Sequence, residues 1–155
     1  MATHGLGFDG LAYFYKSEDI INNEMSDAFI KHSDWLNNLA KPYIVKASSI
    51  LLEKYKGFNT GITATAPGFY APQGRELRLK PSIENLHDKM NTFKYGKNRI
   101  TNFEMETSAL YFLGKSLGHN TLTICAIIGN RITKTHSEDY KKTVDKLIAT
   151  VVEKL

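Results

Sequence analysis

A layered α/β domain with a central sheet flanked by helices is the fold class this sequence predicts. Helix-like and strand-like segments alternate along the chain, which favours a sheet covered by helices. The run Thr121–Ile128 is nearly continuous in β-branched and apolar residues, the mark of a strand buried on both faces. The last segment places Val144, Leu147, Ile148, Val151, Val152 and Leu155 on one stripe, as an amphipathic helix does.

Taken in order, Gly5, Gly7 and Gly10 mark a turn-rich opening around Asp9, followed by the aromatic cluster Tyr13, Phe14 and Tyr15. Residues 16–34 are polar and weakly patterned and read as a loop with one helical turn. Pro42 suits the first residue of a helix, where its missing N–H costs nothing. Ile44, Ala47, Ile50, Leu51 and Leu52 continue that helix, and Lys54, Lys56 and Gly57 end it. Asn59–Ala66 alternates threonine with Gly, Ile and Ala and reads as a strand. Pro67 and Gly68 break it, and a loop runs to Arg75. Residues 82–90 form a short helix capped by Ser82 with Leu86 inward, residues 94–98 a loop, and residues 100–103 a strand. Thr101 and Glu104 have capping-box spacing, so a helix is expected from there to Leu117, stopped by Gly118. Ser137 is the expected cap of the final helix. The predicted order is therefore helix, strand, helix, strand, helix, strand, helix.

The chain has 155 residues, 42% hydrophobic and 23% charged, which suits one domain with a real core and argues against disorder. Its net charge of +4 comes from Lys and Arg scattered without a run, so a nucleic-acid partner is not expected. The single cysteine, Cys125, sits among apolar residues and reads as a small buried hydrophobe. One cysteine cannot form an internal disulfide, which fits the reducing cytoplasm. The histidines are isolated and no metal-ligand spacing appears, so neither a metal nor an organic cofactor is expected. No stretch has the length of a membrane span, and residues 1–5 carry neither part of a signal peptide, so no membrane partner is expected.

In open α/β sheets, ligands sit beyond the carboxyl ends of the strands. Three predicted strand ends carry polar chemistry. The segment Phe69-Tyr70-Ala71-Pro72-Gln73-Gly74-Arg75 offers a ring, an amide and a guanidinium. That set suits a flat heterocycle with carbonyl oxygens and an N–H, and it equally suits a surface loop with one buried aromatic. Glu104-Met105-Glu106 puts two carboxylates at a helix start, where the helix dipole alone favours acids by roughly 0.3–1 kcal/mol. Residues at i and i+2 point to different faces, so one can cap while the other faces a cleft and accepts from ribose hydroxyls. Asn130-Arg131 ends the third strand, where an arginine serves a site or a surface ion pair.

These segments, in this order, resemble the uridine phosphorylases of the nucleoside phosphorylase superfamily. Phe69-Tyr70-x-x-Gln73-x-Arg75 and Asn102-Phe103-Glu104-Met105-Glu106-x-x-Ala109-Leu110 carry the resemblance, supported by Ile127-Ile128-Gly129-Asn130-Arg131. It extends from about Phe8-Asp9-Gly10 to the last helix. The fold it implies is a mixed sheet flanked by helices. The reaction it implies is phosphorolysis of uridine to uracil and ribose-1-phosphate in pyrimidine salvage. By position, Phe69 would pack on the base and sugar. Gln73 and Arg75 would hold the pyrimidine carbonyls and ring N–H. Met105 would lie under the ribose and Glu106 would take its hydroxyls, with Glu104 in the same motif. Ile128 and Arg131 would border the base, Arg131 also placing the base-binding loop. Arg75 and Glu106 are the expected catalytic residues.

Purine-specific and nucleosidase relatives carry an acid after the last strand, and the corresponding stretch here resembles Asn130-Arg131. A pyrimidine leaving group gains charge on its carbonyl oxygens instead, and fixed donors aimed at such charge contribute on the order of 2.7–4 kcal/mol each. The family's Gly-rich turn and phosphate-binding residues lie upstream of the matching portion. The resemblance thus implies one partial α/β domain over residues 1–155, with N-terminal strands and most of the phosphate site outside it. An isolated chain without turnover is expected, whether it is a truncated product, a proteolytic remainder or one part of a split enzyme. A homo-oligomer, dimer or hexamer, is expected by the same resemblance. The alternatives are a nucleosidase and a non-catalytic nucleoside-binding module.

Overall fold

The computed structural model describes residues 1–16 and 18–155, with the side chain of Glu18 left aside. The chain opens on strand β1 (Ala2–Gly7), followed by short 3-10 turns at Leu11–Phe14 and Glu18–Ile20. Helix α1 (Asn23–Ser33), strand β2 (Tyr43–Lys46), helix α2 (Ser49–Lys54) and strand β3 (Gly61–Thr65) follow. A 3-10 turn at Ala71–Gln73 leads to helix α3 (Leu86–Thr92), the hairpin strands β4 (Lys94–Tyr95) and β5 (Asn98–Glu104), and helix α4 (Thr107–Ser116). A two-residue hairpin, β6 (Gly129–Asn130) and β7 (Thr135–His136), precedes helix α5 (Tyr140–Val152).

The main sheet is mixed, in the order β2-β1-β3-β5-β4. β1, β3 and β5 run parallel, with Gly5 beside Thr63 and Ala64 beside Phe103, while β2 and β4 run antiparallel at the two edges. The carboxyl ends of β1, β3 and β5 therefore lie side by side. Side-chain alternation splits the core between the two faces of the sheet. Leu6, Ile44, Ile62 and Ala64 pack on one face against Met25 and Phe29 of α1 and Leu86 and Met90 of α3. Tyr43, Val45 and Ala47 pack on the other against Tyr111 and Phe112 of α4. The expected α/β class, with a mixed central sheet between helices, is what the chain forms.

The expected element order is not. Residues 16–34, read as a loop, contain α1, while Ser17 of that stretch lies outside the described residues. Asn22 caps α1, its Oδ1 accepting from Met25 N at 3.0 Å, and Met25 and Phe29 stack inward at i and i+4. The helix predicted from Pro42 is a strand first: Tyr43, Ile44 and Val45 are all fully buried between β1 and the helices. Pro42 stands just before the strand, where no ladder bond is lost, and the true helix start is Ser48. α3 begins after Asn85 rather than Ser82, although Leu86 does point inward. Thr101 lies within β5, so no capping box forms, and α4 starts at Thr107. Asp139, not Ser137, caps α5 by accepting from Lys142 N. The apolar stripe of α5 is only half-covered, with Ile148 and Val152 exposed.

Thr121–Ile128 is the most informative departure, because it forms no strand. β1 already has β2 and β3 as neighbours, and β4 covers β5 only at Asn98 and Arg99. Yet Thr121–Ile128 makes no ladder with the rest of β5 and leaves a cleft lined by Thr101, Asn102, Ile124 and Cys125 between them. The segment is instead tied down singly, by Ala2 N to Thr123 O at 2.9 Å and Ser48 N to Thr121 O at 3.1 Å. Thr123 N donates to the Tyr111 hydroxyl, which in turn donates to Ala2 O, both at 2.8 Å. Burial pushes that phenol up to about 12. Cys125 in this segment is half-buried rather than fully enclosed.

Candidate functional site

The first set of groups stands where β3 ends. Phe8 N donates to Thr65 O, and Pro67 turns the chain out of the sheet toward Phe69. Ala71–Gln73 forms one 3-10 turn, closed by Gly74 at φ +68, a left-handed conformation that glycine adopts without a Cβ penalty. The turn buries Gln73 to 5% exposure. Its Oε1 accepts from Arg75 Nη1 at 2.6 Å and from Arg131 Nη2 at 2.6 Å. Arg131 Nη1 also donates to the Gln73 backbone carbonyl at 2.9 Å. Arg75 lies over the Phe69 ring, with Cζ 3.6 Å from its centroid, and donates to the Phe69 carbonyl as well. Phe69, Gln73, Arg75 and Arg131 thus form one contact cluster, built from the loop after β3 and the β6–β7 turn.

Both lone pairs of the Gln73 oxygen are taken by cations, which leaves the amide nitrogen as its open face. Among the described residues, Gln73 Nε2 and Arg75 Nη2 have no protein partner. The cluster therefore offers donors rather than acceptors. Arg131 is held below its usual pKa by burial and then by the nearby Arg75.

The second set stands where β5 ends. Glu104 Oε2 accepts from Glu106 N and Thr107 N, both at 2.9 Å, while Oε1 accepts from Thr65 Oγ1 at 2.7 Å. Thr65 Oγ1 accepts in turn from Ser108 N at 3.0 Å, so the end of β3 and the start of α4 are bolted to one carboxylate. Glu104 is fully committed to capping. Glu106 is exposed, and among the described residues its carboxylate has no hydrogen-bond partner. Met105 beside it is 39% exposed. The two carboxylates separate, one into the fold and one outward, but not by helical i, i+2 geometry: Glu104 ends β5 and Glu106 stands just before α4, so the chain turns between them.

Ala66 N donates to Glu104 O at 2.9 Å, so the two sets spring from directly adjacent strand ends. A cleft of about 400 Å³ opens beside them, bounded by His87, Met90, Phe103, Asn130 and Arg131. Of the expected site residues only Arg131 lines it. Ile128 stands apart, half exposed, its carbonyl accepting from Ser137 N.

Two groups escaped the sequence reading. Asp9, just beyond the end of β1, accepts from Leu11 N at 2.7 Å, Tyr43 Oη at 2.9 Å and Ser108 Oγ at 2.8 Å. Burial pushes the Tyr43 phenol up. The Phe8-Asp9-Gly10 motif was visible, but nothing in its spacing marked Tyr43 and Ser108 as partners. His87 is the other, wedged beside Arg131 and Gly74. Among the described residues no three metal-binding side chains cluster. No helix there is long and apolar enough to cross a membrane.

A mixed sheet with polar groups gathered at adjacent parallel strand ends is the architecture of the nucleoside phosphorylase fold. A Trypanosoma brucei nucleoside phosphorylase with uridine phosphorylase activity superposes with a TM-score of 0.84, covering 99% of this chain and 56% of that one. At 21% identity this likeness shows the fold. The phosphorylase superfamily model matches residues 6–155, and the chain belongs to that family. A uridine phosphorylase of Thermococcus kodakarensis is 38% identical over 79 residues, covering 49% of this chain and 27% of the relative. The chain thus spans about half of the matched structure, and the alignment about a quarter of the curated relative.

Proposed function

We propose that the chain carries the nucleoside-binding surface of a phosphorylase acting on a pyrimidine ribonucleoside, with uridine as the substrate. The observation that carries this reading is the donor-only face at Gln73. Its oxygen is held by Arg75 and Arg131, which leaves Gln73 Nε2 and Arg75 Nη2 as the donors open to a ligand in this reading. Uracil offers carbonyl oxygens to such a face. If the two donors take the two uracil oxygens, cytosine replaces one oxygen by an amino group and sets donor against donor, which costs more than a lost contact alone. The uracil ring N–H between them must then share Gln73 Oε1 or go to water.

In this reading Arg75 and Gln73 stabilise the charge that builds on the uracil oxygens as the glycosidic bond breaks. Glu106 accepts from the ribose 2′- and 3′-hydroxyls and orients an oxocarbenium-like sugar, with Met105 beneath it and Phe69 against the base. Phosphate, the co-substrate, attacks the anomeric carbon, yielding uracil and ribose-1-phosphate. Glu104 supports the site indirectly, by fixing the backbone that presents Glu106. Arg131 borders the base, while Ile128, which stands apart from the cluster, is given no part in it. The name of the Thermococcus kodakarensis relative supports the same substrate.

Calorimetric titration of the protein with uridine, cytidine and inosine tests the reading without requiring turnover. Uridine should bind at least tenfold more tightly than either, on the order of 1.4 kcal/mol. Equal affinity for cytidine, or a preference for inosine, would remove the base assignment.

A further inference from the structure

His87 lies outside the residues given a role above, yet it stands against Arg131 and against Gly74, which closes the Gln73 turn. Its Nε2 is 3.5 Å from Arg131 Nη1, the outer reach of a hydrogen bond. Its ring meets Phe103 edge-on at 6.3 Å, and the Arg131 guanidinium lies 5.7 Å from the centroid of the same Phe103 ring. A Cβ at Gly74 would sit 2.9 Å from His87 Nε2, so the imidazole packs directly against the residue that closes the Gln73 turn. Helix α3, through this one side chain, therefore backs both the β6–β7 turn and the loop after β3.

An arginine can only donate, so the Arg131 contact is attractive only while Nε2 carries a lone pair. We propose that neutral His87 is a positioning residue that braces Arg131, and through it Gln73, in the donor-only arrangement that reads the base. The proposal rests on the nucleoside-binding reading above. Protonation would set a third cation against Arg131 and Arg75, turning the brace into a repulsion that loosens the grip on Gln73.

The groups facing the imidazole favour the neutral form. Burial lowers its pKa first, followed by Arg131 and Arg75, against the opposing pull of Asp88 on its own helix. Glu76, Lys80, Glu84 and Lys134 line the adjoining cleft with two charges of each sign. The brace is thus engaged at neutral pH and released as pH falls through the lowered histidine range.

The test pairs His87→Phe, which keeps a flat ring but no acceptor, with His87→Gln, which keeps an acceptor but cannot protonate. Uridine affinity is measured by calorimetry from about pH 7.5 to about pH 4.5, with Trp35 emission reporting that each protein stays folded. Wild-type affinity should fall toward acid. His87→Phe should bind about tenfold more weakly at neutral pH, and His87→Gln should bind nearly as wild type with a flat profile. Wild-type affinity in His87→Phe, or the full acid loss in His87→Gln, overturns the proposal. An NMR titration of the His87 ring judges the brace apart from the ligand. Its pKa should lie below the ordinary value and rise in Arg131→Gln, and an unmoved pKa overturns the proposal. A low, Arg131-dependent pKa in a protein that binds no uridine would instead refute the nucleoside reading alone and leave the brace standing.

Discussion

Replacing Glu104 by alanine should destabilise the protein far more than the same change at Glu106, two residues away. Glu104 accepts two backbone N–H groups at 2.9 Å and the Thr65 hydroxyl at 2.7 Å. Hydrogen bonds to a charged group contribute about 1.5–3 kcal/mol each. The Glu106 N–H is near solvent and can be rehydrated, which reduces its share. Thr107 N is part-buried, and Thr65 keeps only the bond it accepts from Ser108 N. A net loss of about 3 kcal/mol is expected for Glu104→Ala. With a urea m-value of about 2 kcal/mol/M, the midpoint should drop by about 1.5 M. Glu106 makes no side-chain bond to cap α4, so Glu106→Ala should shift stability by less than about 0.5 kcal/mol. Urea unfolding followed by Trp35 emission measures both. Equal losses in the two variants would refute the division between a capping carboxylate and an outward one.

Gly7→Ala should cost about 1–3 kcal/mol by overpacking, because its Cβ would fall 2.6 Å from the Tyr43 ring and 2.8 Å from Ser108 Oγ. Thermal melts measure that loss, and an unchanged melt would show that Tyr43 and Ser108 yield freely. His4 is 8% exposed, and burial, followed by Lys46, lowers its pKa to about 4 from 6.5. The unfolded chain therefore takes up this proton first as acid is added. Stability should be intact above pH 6.5 and fall progressively toward pH 4, by at most about 3 kcal/mol from this group. Urea midpoints across that range should slope less in His4→Gln, and identical slopes would remove His4 as a source.

The strands of the fold were legible where composition and turn chemistry agreed. The threonine-rich alternation before Pro67 became β3, Gly118 stopped α4 at φ +76, and Leu86 faced inward. Tyr43–Val45 was misread because its apolar residues satisfy helical and strand spacing alike, and only pairing with β1 decides between them. Thr121–Ile128 shows the converse limit: β-branched composition marks a segment fit to pack, but a strand also needs a register of backbone bonds, and this segment makes only single ones to Ala2 and Ser48. α1 was hidden because its inward face is narrow, resting chiefly on Met25 and Phe29, with polar Ser26 and Ser33 also buried.

The candidate site was legible as residue types but not as connections. One carboxylate of the Glu104–Glu106 pair is expected to cap while the other faces a cleft. The division holds, but through the turn between β5 and α4 rather than helical i, i+2 geometry, with Glu106 exposed. Which one capped depended on Thr65, a residue from another strand. The capture of the Gln73 oxygen by two arginines joins positions 58 residues apart, and no local spacing encodes it. Asp9 and His87 were missed for the same reason, since their partners Ser108 and Arg131 come from distant segments.

Comparing uridine with free uracil, by calorimetry on the wild type, Arg75→Ala and Glu106→Ala, tests most directly whether separate strand ends share one ligand. Arg75→Ala should weaken both ligands, whereas Glu106→Ala should weaken uridine about tenfold or more and leave uracil untouched. Uridine binding indifferent to Glu106, or a Glu106→Ala loss that is equal for uracil, would contradict a single site in which one strand end reads the base and its neighbour the sugar.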